Sequence, residues 1–371
     1  LIAAAKATNS TGKGCAILRS RLSLNQGEEM PRERFCTNRI LIPLLAPIFA
    51  SPLNAQDVDG AKVLDGLGAT DDDIAQLEGG EIIAYSDEAY ENSPRELSAD
   101  AVMLIDTDLD AIVEALVDAV TVIPTKLMIA HSEISSEADF ANVAYTEDDI
   151  DEVEELFKLK PGKDFNLSTP EFELLKKRLS PHRKGSTADK IAAASDAMRE
   201  VLIGRYNRYQ ADGLKGIESY WRSKRKQVDV GGELFLTTDT FRPFEPDFPD
   251  YFHVIENYPS GADCCEHYFR WLKVKIHKRP AFALAHTMIQ TTDQFILYTE
   301  RFYYVSNTLN SVQVTLSWLP YDENTYMGLA MSASADVLDS MMGKMLRPLG
   351  RNKAQDLVTD VMNEVRTDLE E

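Results

Sequence analysis

Positively charged residues are scarce in this sequence, and their scarcity argues against one large class of function. The 371 residues include 39 Lys and Arg against 60 Asp and Glu, which gives a formal net charge of −21 at pH 7. Nucleic-acid binding depends on clustered basic side chains that neutralise phosphates, so we expect no nucleic-acid partner. Simple electrostatic docking to anionic lipid headgroups is disfavoured for the same reason.

Cysteine and histidine are also rare, and their positions indicate no metal site. The chain has four Cys and six His, with no grouping at the spacing of a zinc site. Cys264 and Cys265 are adjacent, and an eight-membered disulfide ring between neighbours is strained. We therefore expect two free thiols here and no disulfide framework.

Catalytic signatures are absent from the sequence as well. It contains no GxSxG elbow, no glycine-rich phosphate loop and no HExxH motif. The acidic cluster Asp71-Asp72-Asp73 lacks the glycine and the spacing of a calcium loop and reads as a solvated helix start. The sequence therefore predicts no catalytic residue, no cofactor and no metal.

Long apolar runs are missing apart from one short stretch near the N-terminus. After Met30, the first Met, a basic region precedes an apolar run at 40–50, which is interrupted by prolines and is too short to span a bilayer. Ala55 then stands directly before an acidic segment. This order is typical of a secretory signal peptide cleaved near Ala55. The alternative is a buried helix of the folded protein, which the prolines disfavour.

The leader divides the chain into three parts. We expect residues 1–29 to be a non-native upstream extension, 30–55 to be a signal peptide, and 56–371 to be the exported protein, located in the periplasm of a diderm host. Residues 1–55 contain seven Lys and Arg against three Asp and Glu, a net of +4, so residues 56–371 have a net charge near −25. They contain no run long enough for a membrane helix, and we expect no stable membrane insertion.

The first two thirds of the exported part read as helices mixed with a few strands. A strand is predicted over 97–105, and an amphipathic helix follows over 109–120. Thr169-Pro170 is typical of a helix start, and Gly213 of a helix end. Other helices are predicted at 71–78, 148–159, 169–179 and 187–211, and other strands at 81–89, 139–145 and 233–238.

The last third changes to consecutive β segments joined by short turns, which favours antiparallel neighbours. Apolar residues alternate with polar ones from Val312 to Trp318, which predicts one apolar, buried face and one polar face. The five predicted strands are 266–276, 281–290, 295–306, 312–319 and 325–335. A pair of helices is predicted to follow, at 337–346 and 353–366, on either side of Pro348-Leu349-Gly350.

Two segments point to a fold. AVMLIDTDLDAIVEALVDA at 101–119 looks like an opening strand and helix, and 326–365 looks like a closing strand and helix. With the element order, they resemble the helix-grip fold of START-like (SRPBCC) proteins, in which a curved sheet wraps around a long C-terminal helix and leaves an apolar cavity. The resemblance implies an α+β fold: one domain over 56–371 with a large, mainly helical insertion at about 121–265.

Three further stretches are similar to a family of uncharacterised exported bacterial proteins. They are EGGEIIA at 78–84, YNRYQADGLKGIESY at 206–220 and ERFYYVSNTLNSVQ at 300–313. No catalytic motif accompanies this resemblance.

Aromatic residues concentrate in the β-rich third, where a curved sheet would place one face against a cavity. Alternation within 295–306 puts Tyr298 and Tyr304 on one face. The predicted ligand-binding residues are Trp271, His286, Tyr298, Tyr304 and Trp318. The open alternative is that these side chains only fill the core.

A second candidate site involves Arg205 and Arg208 on the long helix, which could bind a carboxylate or phosphate group, or form salt bridges within this acidic protein.

Three functions are compatible with these features. The leading hypothesis is a periplasmic protein that binds an apolar or amphipathic small molecule, such as a lipid, in a helix-grip cavity. The second is a START-like enzyme that uses His286 and a tyrosine as acid and base. The third is a structural or partner-binding envelope protein, which a large exposed apolar patch would favour.

Overall fold

The computed structural model describes residues 59–66, 69–86, 91–118, 123–223, 226–239, 242–276 and 278–370. The predicted upstream extension and signal peptide lie outside these ranges. Within them, no helix is both long enough and apolar enough to cross a membrane.

The centre of the fold is an eight-stranded sheet in which every neighbouring pair is antiparallel. Its strand order is β1-β2-β10-β9-β8-β7-β6-β3, and a separate hairpin pairs β4 with β5. The strands are β1 (Ile83–Tyr85), β2 (Glu96–Ile105), β3 (Met128–Glu133), β4 (Tyr220–Ser223), β5 (Lys226–Val228), β6 (Glu266–Ile276), β7 (Arg279–Thr291), β8 (Ile296–Val305), β9 (Ser311–Tyr321) and β10 (Asn324–Ser334). The predicted five-strand meander is confirmed as β6 to β10, and the predicted strand at 97–105 as β2.

Helices cover both faces of this sheet. They are α1 (Gly60–Gly66), α2 (Asp71–Glu78), α3 (Leu109–Asp118), α4 (Ile150–Phe157), α5 (Thr169–Leu179), α6 (Thr187–Asp212), α7 (Val230–Asp239), α8 (Pro249–Asn257) and α9 (Met341–Glu370). Ile112 of α3 and Val358 of α9 pack on one face, together with Ala101 and Leu316. Helices α6 and α8 pack on the other face. The fold is therefore α+β, with an antiparallel sheet and a C-terminal helix.

The segment 121–265, which the sequence predicts to be an insertion, contributes to the sheet as well as to the helical layer. Strand β3, which the sequence did not predict, pairs with β6 at the sheet edge. Its side chains alternate between half-buried and exposed, the pattern of an edge strand with one solvated face. Helices α4 to α8 then cover the face of the sheet opposite α9.

Two predicted strands are wrong, since both segments form helical turns in which side-chain hydrogen bonds satisfy nearby polar groups. Residues 137–142, predicted as part of a strand at 139–145, form a 3₁₀ helix. The Asp139 carboxylate there accepts hydrogen bonds from the backbone N–H groups of Ser135 and Ser136. Residues 233–238, also predicted as a strand, lie in α7, where Thr237 and Thr238 donate to carbonyls one turn earlier.

The predicted break between two C-terminal helices is also wrong, because α9 continues through Pro348. Proline lacks an N–H and normally interrupts a helix. Here Pro348 lies on the exposed side, so water can hydrate the carbonyl that loses its hydrogen bond. Burial of Val358 and Met362 against the sheet holds the long helix in place.

The polar face of β9 is covered rather than solvated. Val314, Leu316 and Trp318 pack in the core that includes α9, as the alternation predicted. Gln313 and Thr315 point to the opposite face, beneath the helical layer that the insertion supplies. Covered polar side chains need hydrogen-bond partners or a ligand, so the space between that face and α8 is a candidate ligand site.

Candidate functional site

Two cavities lie on opposite faces of the sheet. The first, which we call the Asp100 pocket, has a volume of about 90 Å³ and lies between the sheet and α8. The second, the α9 cavity, has a volume of about 120 Å³ and lies between the sheet and α9. Among the described residues that line these two cavities, a carboxyl group occurs only in the wall of the Asp100 pocket.

The floor of the Asp100 pocket lies on a row of residues that pair across four strands. Asp100 on β2 pairs with Ala330 on β10, and Ala330 pairs with Thr315 on β9. Thr315 pairs in turn with Thr299 on β8. Directly paired residues point to the same face of a sheet, so the register brings the carboxyl and hydroxyl groups onto one surface.

Helix α8 forms the aromatic roof of the pocket. Tyr251, Phe252 and Ile255 line the pocket, as does Phe248, which immediately precedes the helix. Their spacing of three and four residues places these side chains on one helical face. Pro249 starts the helix, where a missing N–H costs nothing because no intrahelical acceptor exists there.

A chain of hydroxyl groups connects the roof to the floor. The Tyr251 hydroxyl donates to Thr299 Oγ1 at 2.9 Å, and Thr299 Oγ1 lies 3.1 Å from Thr315 Oγ1. Because Thr299 Oγ1 accepts a hydrogen bond from the Tyr251 hydroxyl, the Thr299 O–H group can donate to Thr315 Oγ1. The Thr315 proton is then available to a ligand in the pocket.

Tyr326 and Gly328 shape the β10 side of the pocket. A Cβ atom added at Gly328 would lie 2.6 Å from the Tyr326 hydroxyl and 2.9 Å from Ser317 Oγ. Both distances are shorter than real Cβ contacts. Glycine at this position therefore leaves the space that the phenol and the serine hydroxyl occupy at the pocket wall.

Asp100 is the electrostatic centre of the pocket. Its side chain is buried, and among the described residues its carboxyl group has neither a hydrogen-bond nor a salt-bridge partner. Burial disfavours the charged form and raises the pKa of Asp100 to about 7. The buried Tyr326 has a raised pKa, first because of burial and second because of the negative charge of Asp100.

The α9 cavity is the space where the helix-grip resemblance places a ligand. Phe302 and Val305 of the sheet line it, facing Val358 and Val361 of α9. Apart from Lys275, which is exposed, the described residues of its wall are apolar, so it offers shape and hydrophobic contact without a buried polar group that would orient a ligand.

The structure divides the five sequence-predicted ligand-binding residues between the two faces of the sheet. Trp271, His286 and Tyr304 face the α6 side, whereas Tyr298 and Trp318 face α9. All five are buried, and none of them lines the Asp100 pocket or the α9 cavity. Their assignment to a ligand stays a prediction.

The prediction that Tyr298 and Tyr304 share a face is wrong because β8 contains a β-bulge. Phe302 pairs with Ala285 of β7, but Tyr304 pairs with the residue immediately before Ala285, so Tyr303 is an extra residue in the ladder. One extra residue reverses the alternation beyond it. Alternation along a single strand cannot reveal this change.

His286 belongs to a hydrogen-bonded chain inside the α6 side of the core. Its Nδ1 lies 3.0 Å from the Tyr209 hydroxyl, and its Nε2 lies 2.9 Å from His267 Nδ1. His267 Nε2 can only donate to the Ala262 carbonyl, 2.9 Å away. A neutral His267 therefore accepts from His286, and His286 accepts from Tyr209.

The surroundings of His286 keep it neutral. Burial holds the pKa of His286 well below its usual value, and the nearby His267 and Arg301 lower that pKa further. The ring is fully buried, and it stacks on Phe269 with ring centres 4.3 Å apart. Such packing leaves no space for a substrate beside the imidazole.

Tyr304 lies against a buried ion pair between α5 and α6. The Arg205 guanidinium is 4.1 Å from the centre of the Tyr304 ring. Glu171 accepts from Arg205 at 2.6 Å and from Arg208 at 3.1 Å. The salt-bridge interpretation of the two arginines is therefore what the structure shows, with Glu171 as the shared partner.

Sequence reasoning missed the residues that form the Asp100 pocket, although one signal was available. Asp100 is the single charged residue within the run from Leu97 to Ile105. The other residues of this run are apolar or small. A buried carboxyl in such a strand is energetically costly unless it has a hydrogen-bond or ion-pair partner, and one without a partner is a candidate functional group. Tyr251 and Tyr326 offered no comparable signal, because they join Asp100 only in the folded chain.

Metal binding has no geometric support in the described part of the chain, where no three His, Cys, Asp or Glu side chains are arranged to hold an ion. Cys264 and Cys265 are free, with their sulfur atoms 2.6 Å apart.

Comparisons with known proteins do not identify a family for this chain. No protein-family model matches the chain, no curated protein is significantly similar to it, and no solved structure matches its fold at a significant level.

Proposed function

We propose that this protein binds a small apolar or amphipathic molecule and that the Asp100 pocket holds it. The pocket itself carries the proposal, because it combines an aromatic and aliphatic wall with a carboxyl and hydroxyl groups. Ligand sites typically have this composition, in which apolar contact supplies affinity and a few polar groups fix orientation. Export and a periplasmic location are part of the proposal and rest on the leader at 30–55.

The volume of the pocket limits the size of the ligand. An engineered apolar cavity of about 150 Å³ in another protein is large enough for benzene. At about 90 Å³, the Asp100 pocket accepts a group of similar or smaller size, or one end of a longer molecule that extends through the open side. A whole lipid fits only if side chains of the roof move.

The α9 cavity is a second position for a ligand, and the START-like resemblance favours it. Its volume of about 120 Å³ is slightly larger, but the one polar side chain among the described residues of its wall is the exposed Lys275, so no buried polar group orients a ligand there. We place the ligand in the Asp100 pocket because the Asp100 carboxyl has no partner among the described residues and the nearby Thr315 hydroxyl can donate to a ligand.

The enzyme alternative requires a substrate beside His286. The structure gives this alternative no support, because the imidazole is packed among aromatic rings and both of its nitrogens make hydrogen bonds within the protein. A general acid or base must reach the atom whose proton it transfers.

The partner-binding alternative has one supporting observation. Met341, Met342 and Met345 lie on one side of the first turns of α9, with 85, 58 and 79% of their surfaces exposed. Exposed apolar groups of this size can contact a protein partner. A copurifying protein that is released when Met341 and Met345 are replaced by Ser, with ligand content unchanged, would favour this alternative.

Native mass spectrometry tests the proposed function. Residues 56–371 are purified from a periplasmic fraction under gentle conditions, and the mass is measured before and after extraction with organic solvent. We expect an additional mass that extraction removes. A bare protein mass, together with no binding of added small aromatic compounds, would overturn the proposal.

Two matched variants identify which cavity holds the ligand. Ala330→Leu fills the Asp100 pocket, and Ala283→Leu fills the α9 cavity by the same change in volume. We expect the additional mass to be lost in Ala330→Leu and kept in Ala283→Leu. The reverse result would move the ligand to the helix-grip position.

A further inference from the structure

The Asp100 pocket contains one acidic group and nothing basic. Besides Asp100, the titratable side chains that line it are phenols: Tyr85 of β1, Tyr251 of α8 and Tyr326 of β10. Among the described residues of its wall there is no Lys, Arg or His. An isolated carboxylate in an apolar site is unfavourable, and the described residues of the wall supply no counter-charge for Asp100.

Aromatic rings surround this acidic group. The wall of the pocket includes the side chains of Tyr85, Phe244, Phe248, Tyr251, Phe252 and Tyr326. The faces of aromatic rings carry negative partial charge and attract cations, most strongly where water is excluded. The carboxyl group and the aromatic faces therefore both favour a positively charged ligand.

We infer that the ligand of the Asp100 pocket is a small apolar cation, that is, an ammonium group attached to an aromatic or aliphatic body. This inference rests on the proposed function and specifies the chemical class of the ligand. The ammonium pairs with the Asp100 carboxylate, and the apolar body contacts Phe248, Phe252 and Leu297. When Asp100 is ionised, an anionic ligand, such as a fatty acid bound by its carboxylate, is disfavoured by repulsion from it.

The competing ligand is a neutral molecule that accepts a hydrogen bond from protonated Asp100. The two classes differ in their response to pH. Because burial raises the pKa of Asp100 to about 7, a cation must bind the ionised form, and its affinity rises as the pH increases toward 7 and then levels off. A neutral acceptor prefers the protonated form and binds more weakly above that pH.

The inference is tested with a pair of probes of almost equal shape, benzylamine and benzyl alcohol. Dissociation constants for residues 56–371 are measured by isothermal titration calorimetry at several pH values. We expect benzylamine to bind at least about tenfold more tightly than benzyl alcohol at pH 8. The difference in affinity between benzylamine and benzyl alcohol should decrease as the pH is lowered below about 7.

Two carboxyl variants provide the comparison. Asp100→Asn removes the charge from the pocket, whereas Asp247→Asn removes another buried carboxyl that does not line it. We expect the preference for benzylamine to be lost in Asp100→Asn and retained in Asp247→Asn. Continued binding of benzyl alcohol to Asp100→Asn shows that the pocket is still formed.

The outcomes separate this inference from the function on which it rests. If both probes bind equally to the wild-type protein and to Asp100→Asn, the inference that the ligand is a cation is overturned. The proposal that the pocket binds a small molecule then still stands. If neither probe binds and native mass spectrometry shows no ligand, the proposed function itself fails.

Discussion

At the scale of single residues, Asp100 links stability to pH. Burial raises its pKa to about 7, above the value of an aspartate in an unfolded chain. Between about pH 4 and pH 7 the folded state therefore holds a proton that the unfolded state has released, and stability falls as the pH rises through this window.

Asp100→Asn removes this dependence, since an amide does not ionise. We expect its free energy of unfolding, relative to wild type, to increase by roughly 2–3 kcal/mol between about pH 5 and about pH 8. Urea unfolding of both proteins at the two pH values measures the change. A constant difference between them would show that folding does not alter the protonation of Asp100.

Tyr209 is the second residue with a specific expected effect, because its hydroxyl donates to His286 Nδ1. Tyr209→Phe leaves this buried nitrogen without a donor and should destabilise the protein by about 1–3 kcal/mol. Tyr206→Phe on the same helix is the control, since no hydrogen bond of the Tyr206 hydroxyl is seen among the described residues, and we expect a change below about 0.5 kcal/mol. Similar losses in both variants in urea unfolding would contradict the hydrogen-bonded chain.

At the scale of secondary-structure elements, α9 depends on one buried side. Met362 is fully buried against the sheet, whereas Met345 on the same helix is 79% exposed. We expect Met362→Ala to lower the free energy of unfolding by about 2–5 kcal/mol and Met345→Ala to change it by less than about 0.5 kcal/mol. Thermal or urea unfolding measures both, and equal effects would mean that α9 does not pack as described.

Elements were predicted best where local patterns and tertiary contacts agree. The strands from Glu266 to Ser334 follow alternation and short turns, and α5 begins with the capping box of Ser168 and Glu171 and with Pro170. The prediction failed at α7, where strand-forming residues satisfy their hydroxyls within a helix. It also failed at Pro348, where solvent exposure makes a proline tolerable inside α9.

At the scale of the whole molecule, the proposed export predicts a defined N-terminus. Expression of residues 30–371 in a diderm bacterium should yield periplasmic protein that begins at Gln56, after cleavage behind Ala55. Intact mass measurement of the periplasmic fraction checks this. Protein that keeps residues 30–55 and stays in the cytoplasm would contradict the leader prediction.

The sheet of this molecule is covered on both faces, and this explains why the candidate site was not predicted. Sequence alternation in β9 indicated a polar face, but not that helices of the insertion would cover it. The ligand-binding residues were sought on the aromatic strands, where Trp271, His286, Tyr298, Tyr304 and Trp318 are buried away from both cavities. The pocket instead formed where polar positions of the sheet meet the aromatic side of α8.

The sequence by itself determined the charge, the antiparallel meander and the positions of helices α2 to α6, because these depend on composition and on interactions between residues close in the chain. Tertiary structure alone decided the faces of β8, the continuity of α9 and the Asp100 pocket. Asp100, Tyr251 and Tyr326 come together only through strand register and helix packing. Contacts over such sequence separations leave no periodic signal in the residues that make them.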